Sequence, residues 1–565
     1  MQSDSQTTSG QDINSVNDFL HSASTPIDMF SVEVIRNALT SAAEEMSLIV
    51  MRSARSPLLR EAGDLSSALT DAQGELIAQG HDVPVHLGVM SYTVKEFLKR
   101  VSPDRLKEKD IWFLNLPEIG GNHLPDVKAI RPIFWKGELV SFAISLAHWA
   151  DIGGAAPGSY YAAATDAWME GLRISPLRLF VDDQPDREKL DFVVANVRGA
   201  EEREGDILAQ AAATRIAEKR LHELLEKHGV AAFKQAVTAL HDLSEQQMRD
   251  LLLALPDGEF SGEDYLDDGG VNNAPVKIHV RISKHGDKAT FDFSGCDDAI
   301  AGPLNTTPFI AGSAVFYAIR ALSTQQIQPN GGCYRPMTII TRPGSIFDPG
   351  ADKPVVGGNH ETSQRAVDAI FRALEPVVGD RLTAGGNTSA GLLIISGPGE
   401  GGKWGTFYET HGGGEGARAD RDGAPVVRVH LTNVMNTPIE AIEADYRLRV
   451  EEQSLRVGSG GRGKHRGGDG MTRIYHVLGD GMSLTTMFER RIVAPYGLRG
   501  GEDGKTMTVT LKRAGMADRV LAGKENVTLL PGDRIVAQTP GGGGYGVAEQ
   551  ADATASPDTL AASVA

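Results

Sequence analysis

The sequence predicts an α+β protein, large and assembled from several mixed α/β subregions. Three observations lead there. Short apolar runs broken by turn residues fill the first two hundred positions; a helical period replaces them between 206 and 255; strands then return, joined by loops that draw on 64 glycines in 565 residues. The boundaries expected from these changes are a disordered N-terminus at 1–27, a strand-rich region at 28–200, a helical hairpin at 201–258, a mixed α/β region at 259–546 and a disordered tail at 547–565.

Taken in order, apolar residues recur at helical spacing from Ser31 to Met51 and give a first amphipathic helix. "SSALTDAQGELIAQG" (66–80) reads as a hairpin turning at Gln73-Gly74, and "IWFLNLP" (111–117) as a buried strand. The two long helices of 206–255 meet at Gly229, a natural stop. A hairpin at 275–295 turns near His285-Gly286-Asp287. In "NTPIEAIEADY", Thr437 is expected to cap a helix, with Pro438 at its first position and Glu440 completing a capping box.

Composition narrows the function classes. With 56 Lys+Arg against 74 Asp+Glu the net charge is −18, which argues against a phosphate-backbone partner, so no nucleic acid is expected. No apolar stretch reaches the roughly 18 residues of a bilayer span, and the first residues lack a secretory pattern. Two cysteines are too few for a disulfide framework and fit a reducing cytoplasm. A metal site would have to use His, Asp and Glu.

"GGNHLPDV" (120–127) sets His123 and Asp126 three apart in a turn that Pro125 keeps from being helical. Two apolar runs follow, joined at Lys136-Gly137, and the second ends at His148. If Trp135 faces Glu138, Pro125 meets His148; a turn one residue longer puts Asp126 there instead. Either register returns His148 to His123 and Asp126. Two imidazoles and a carboxylate suit a catalytic divalent cation. The residues alone also allow a structural reading, in which the histidines satisfy polar groups at a hairpin mouth and Asp126 is a turn carboxylate.

Four weaker signals stand beside this one. His81 and His86 in "HDVPVHLG" read as loop histidines, His86 with a weaker pocket-lining alternative. "GSGGRGKH" (458–465) nearly spells a phosphate-binding loop, but His465 replaces the Ser/Thr and no helix follows, so a glycine-rich connection is expected. "ETHGGGEGARADRDG" (409–423) reads as a solvated loop able to close over a ligand or meet a partner. Asn359 and His360 in "GGNHETSQR" read as cap and loop residues.

The segments "REAGDLSSALTDAQGELIAQG", "VPVHLGVM", "GGNHLPDV", "AHWADIGGAAPGS", "GGNHETSQRAVDAIFRALEP", "MNTPIEAIEADYRLRV" and "TPGGGGYG", in that order from about residue 60 to 546, resemble the hydantoinase B/oxoprolinase family. The resemblance implies a metal site of Asp64, His123, Asp126 and His148, with zinc or manganese bound. Asp151 is implied to orient His148 through its far ring nitrogen. Many relatives carry a second histidine where this chain has Trp149, a change expected to alter the pocket wall.

The resemblance further implies the metal-containing B (beta) subunit of an ATP-dependent amidohydrolase that opens a cyclic amide such as a hydantoin, oxoproline or lactam. ATP and magnesium would be handled by a hydantoinase A-type partner, in a dimer of heterodimers or larger. Two alternatives are a subunit of an acetone- or acetophenone-type carboxylase and a non-catalytic scaffold.

Overall fold

The computed structural model describes residues 27–399 and 402–548; positions 1–26 and 549–565 of the two expected disordered ends lie outside these. Among the described residues no helix is long and apolar enough to cross a membrane. Among the described residues the architecture is mixed α+β with four sheets.

The sheet that carries the His/Asp hairpin has seven antiparallel strands: β1 (Leu65–Asp71), β2 (Leu76–Gln79), β3 (Ile111–Leu114), β4 (Asp126–Trp135), β5 (Glu138–His148), β6 (Leu177–Val181) and β7 (Gln184–Pro185). They lie in the order β2-β1-β5-β4-β3-β6-β7. The β4–β5 turn is the tight two-residue one, with Trp135 opposite Glu138 and both Lys136 (φ 51°) and Gly137 (φ 85°) left-handed, as a turn that follows strand twist requires. Yet Asp126, not Pro125, faces His148. A bulge reconciles the two registers. Phe134 pairs with Leu139 and Ile133 with Ser141, so Val140 is the extra residue on β5 and the remainder of the hairpin is shifted by one.

Both faces of this sheet are buried, which is why β4 and β5 read as near-continuous apolar runs rather than alternating ones. Phe142, Ile144 and Leu146 face one core, shared with α2 (Pro84–Leu98). Val127, Ala129, Ala143 and Ala147 face another, shared with α1 (Met29–Ser53) and α3 (Ala200–His228). α1 begins two residues earlier than its apolar spacing suggests because Asp28 caps it, its carboxylate accepting from Ser31 N–H at 3.0 Å. Gly229 (φ 79°) separates α3 from α4 (Val230–Leu253), and α3 lies along α1 and across β4 and β5 as part of the layer that covers the sheet.

The second sheet, formed by Gly258–Leu266, Val276–His285, Lys288–Asp292 and Met337–Ile340, packs on α5 (Thr362–Val378) and completes the first core. Sheets three and four, from Leu392 to Gln538, enclose a third core around Phe407, Tyr475 and Leu484.

The glycine-rich segments are not solvated loops. The run 540–546 lies at the centre of a backbone bundle, where Gly541, Gly542, Gly543 and Gly544 donate N–H bonds to Lys505, Gly468, Gly385 and Glu502 carbonyls at 2.7–3.1 Å. A Cβ on Gly542 would stand 1.9 Å from Glu415 O and one on Gly467 1.9 Å from Gly542 O, so only glycine allows these chains to approach. "ETHGGGEG" and "GSGGRGKH" both belong to this bundle, and the expectation of a solvated loop at 409–423 fails for its first half: residues 409–414 are all buried. Thr437 is also reassigned. The helix is Ile439–Asp445 with no side-chain cap, and the Thr437 hydroxyl donates instead to buried Glu409 at 2.7 Å, a carboxylate also held by Arg473 at 2.9 Å.

Candidate metal centre

At one end of the first sheet, three neighbouring strands place side chains in a row. β4 begins at Asp126; β5 ends at His148 directly opposite; and His148 N–H donates to Asp64 O at 3.1 Å, one step beyond the last β1–β5 pair, Leu65 with Ala147. Positions of the same parity on paired strands share a face, so Asp64, His148 and Asp126 all face the α2 side. The turn before β4 then adds His123, its ring centroid 5.0 Å from that of His148. His123, Asp126 and His148 offer ligand atoms that all lie within 4.8 Å of one another, and all three are buried. Asp64 stands outside this tight trio but lines the same cavity.

The hydrogen bonds leave lone pairs turned inward. His123 Nδ1–H donates to Val356 O at 2.9 Å, which puts the lone pair on Nε2, within 3.3 Å of the Asn359 amide nitrogen and 3.1 Å from Asp126 Oδ1. His86 Nδ1 sits 2.7 Å from the Ser66 hydroxyl and its Nε2 faces Asp126 Oδ2 at 3.4 Å. Both Asp126 oxygens and both His148 nitrogens are buried without a hydrogen-bond partner. The short Asp126–His123 distance is therefore a carboxylate facing a lone pair rather than an N–H. Four orphaned polar atoms at about 1–3 kcal/mol each form a standing cost that a divalent cation between them would offset. The donor set fits such a cation.

Burial, together with the neighbouring His123, holds His148 well below the ordinary imidazole range, so the neutral ring keeps one lone pair available. Burial alone would raise Asp126, but positive charge on the His123 and His86 rings and hydrogen bonds from them hold it well below the usual carboxylate range, a role that a cation bound between these groups would take over. Asp64 moves the other way: burial, then the Asp126 charge, pushes it up to about 6. The cavity measures about 40 Å³, room for an ion with one or two waters.

Asp151 does not reach His148. Its carboxylate accepts from the N–H groups of Gly153, Gly158 and Arg198 and from the Arg198 guanidinium, at 2.8–3.2 Å, because the "DIGGAAPGS" loop folds around it. Trp149 turns to the opposite face of the sheet, donating to Gln210 at 3.0 Å, so it leaves the pocket wall unaltered. His86 does line the pocket, whereas His81 is exposed against Glu44.

Several pocket residues escape sequence reasoning. Asn359 Nδ2 approaches His123 Nε2 at 3.3 Å, and the His360 ring lies 6.4 Å from that of His123; both come from the turn before α5, read above as cap and loop. The Tyr408 ring packs 4.6 Å from His148, and its hydroxyl meets that of Tyr160 at 3.2 Å. Glu170 acts one shell further out. It accepts from Val355 and Val356 N–H at 2.9 Å each and thereby fixes the carbonyl that orients His123. Only the second glycine-flanked "GGNH" motif, at 357–360, hinted that another segment shared the site.

The hydantoinase B/oxoprolinase family description matches residues 28–548. The chain belongs to this family. An uncharacterized protein of Methanocaldococcus jannaschii is 36% identical over 92% of this chain and 91% of its own length. The 5-oxoprolinase of Dictyostelium discoideum is 32% identical over 92% of this chain, which spans 40% of that enzyme. The crystal structure of ATP-dependent caprolactamase from Pseudomonas jessenii superimposes with a TM-score of 0.85 at 29% identity, covering 92% of this chain and 91% of that one. Nucleotide-free acetone carboxylase shares the fold, with a TM-score of 0.84 at 18% identity over 92% and 75% of the two chains.

Proposed function

We propose that this chain is the metal-containing subunit of an ATP-dependent enzyme that hydrolyses a cyclic amide, working beside a hydantoinase A-type subunit that handles ATP and magnesium in a dimer of heterodimers or larger. The observation that carries this reading is the buried His123/Asp126/His148 trio, in which both Asp126 oxygens and both His148 ring nitrogens have no hydrogen-bond partner. Likeness to an ATP-dependent caprolactamase and a 5-oxoprolinase supports the substrate class. A partner that handles ATP is supported by the 458–465 segment: Gly460, Gly461 and Gly463 pack against backbone and the segment opens no helix, so it offers no phosphate cradle.

His123, Asp126 and His148 would hold the cation, with Asp64 completing the set from the adjacent strand. Bound there, a divalent cation supplies a Lewis acid that acidifies water and polarises a carbonyl oxygen. The protein's own groups prepare that centre. Val356 O holds His123 with Nε2 inward, neutral His148 presents a lone pair, and the Tyr160–Tyr408 pair packs against both rings and keeps bulk water out. An amide is resonance-stabilised, so transfer of a phosphoryl group from ATP to its oxygen on the partner, releasing ADP, would make the ring carbon attackable; one water would then add, the C–N bond would break as the ring nitrogen takes a proton, and a second water would release phosphate from the acyl phosphate that remains.

Elemental analysis of the purified chain and of its His123→Ala, Asp126→Ala and His148→Ala variants tests the centre. Undiminished metal in all three would refute it, and wild-type protein that holds no metal would favour the scaffold reading. Product analysis of the assembled enzyme with hydantoins, oxoproline and lactams, with and without bicarbonate, separates hydrolase from carboxylase. Acetone carboxylase shares the fold only, so the hydrolase reading is the one advanced.

A further inference from the structure

The metal pocket is far smaller than the roughly 300 Å³ at which small-molecule sites begin. Beside it lies a cavity of about 320 Å³. The two share a wall, since Val427, Arg428, Val429 and His430 line the larger cavity while Leu431, Thr432 and Val434 line the metal pocket. Val426 (φ 50°) and His430 (φ 54°) hold this wall in left-handed backbone that non-glycine residues seldom adopt.

The larger cavity is cationic. Arg381 reaches it from one segment, and Arg418 and Arg428 from the two arms of a single connection that pairs with itself at Gly413 and Val427; Glu415 is the one carboxylate among its lining residues, an excess of two positive charges. Arg418 gives Nη2 to Glu415 at 3.1 Å, but its Nε is buried with no acceptor. Arg428 gives Nε to Val434 O at 2.9 Å and Nη2 to Asn436 at 3.0 Å, and its Nη1 is likewise buried and unmatched. Arg381 spends Nη2 on Leu322 O and is otherwise exposed. His430 is turned between Tyr317 OH (3.5 Å) and Asp368 (3.7 Å), and Asp368 is already held by Arg365 and Arg490. Tyr317 and Phe371 supply an apolar side.

We propose that this cavity binds a phosphate group carried on a small organic ring. A planar carboxylate is satisfied by one guanidinium fork, whereas a tetrahedral phosphate takes donors from several directions, which matches three arginines lining one cavity. The unmatched Nε of Arg418 and Nη1 of Arg428 are the donors that such an anion would satisfy, and the tyrosine and phenylalanine would flank the ring. The inference rests on the proposed function only for the source of the phosphate, the phosphoryl-activated amide; the binding itself needs neither metal nor turnover.

Isothermal titration of the full-length chain with phenyl phosphate, inorganic phosphate and benzoate tests it. Phenyl phosphate should bind about tenfold more tightly than benzoate, and Arg418→Met, Arg428→Met and Arg381→Met should each weaken it by about tenfold, the loss of one charge-assisted bond. Arg381 is exposed, so that variant keeps the test available if a buried-arginine variant fails to fold by circular dichroism. His148→Ala should leave binding unchanged, which distinguishes failure here from failure of the metal centre. Benzoate binding as tightly as phenyl phosphate, no phenyl phosphate binding, or binding indifferent to all three arginine changes would overturn the proposal. Inorganic phosphate binding as tightly as phenyl phosphate would assign the cavity to released phosphate and overturn the ring-borne ligand.

Discussion

The mouth of the β4–β5 hairpin and the bundle around residues 540–546 are both buried and both polar, yet they solve opposite problems. In the bundle nearly bare backbone packs on backbone, and Gly541 to Gly544 each find a carbonyl within 3.1 Å. At the hairpin mouth side-chain density is high, but Asp126 and His148 are left without partners. A satisfied polar interior is a stabilising device; an unsatisfied one is strain that a ligand relieves. The difference separates what holds the molecule together from what it is built to bind.

Substitutions can break or sharpen that contrast. The largest effect is expected in the bundle. Gly542→Ala places a methyl 1.9 Å from a backbone oxygen that cannot swing away, and should cost more than about 3 kcal/mol, read as a lowered urea midpoint. At the hairpin mouth the pattern should invert: His148→Ala should abolish stoichiometric metal by elemental analysis while the metal-free protein loses less than about 2 kcal/mol, because the imidazole it removes has no hydrogen bonds to lose.

Glu170 tests the link one shell out. Glu170→Gln should weaken metal binding by about tenfold through the Val356 carbonyl, measured by chelator competition. It also carries a pH signature. Burial pushes this carboxyl from 4.5 up to about 8, so between those values the folded chain keeps a proton that the unfolded chain has lost. Stability therefore falls as pH rises through that window, and the glutamine variant should flatten the fall in a series of denaturation curves. The smallest effect belongs to Gly137→Ala, where nothing lies within 4 Å and only the left-handed φ of 85° resists, at about 1 kcal/mol in the same urea titration.

Much of this was legible in the sequence. Helical spacing in α1 and the turn residues at Lys136-Gly137 carry their own structure, and counting along the hairpin was enough to bring His148 back to His123 and Asp126. What stayed hidden depends on contacts between distant segments. The bulge at Val140 has no marker in "ELVSFAIS", Asn359 arrives from 236 residues beyond His123, and Tyr408 from further still. Thr437 looked like a cap because local pattern favours one, but buried Glu409 competes for its hydroxyl. The glycine runs misled for a related reason: glycine marks loops by its freedom and close packing by its smallness, and only neighbours decide which.

The bulge at Val140 has one more effect. Because the extra residue lies between the tight turn and the ligand-bearing end, the geometry at Lys136-Gly137 does not dictate which residues stand opposite each other at Asp126 and His148. The far tip of the hairpin, exposed at residues 136–138, stands at the opposite end of β4 and β5 from the site, like the handle of a tool whose jaw is set elsewhere. A spectroscopic label or short peptide insertion grafted there would ride on the protein and leave the alignment of the buried residues intact.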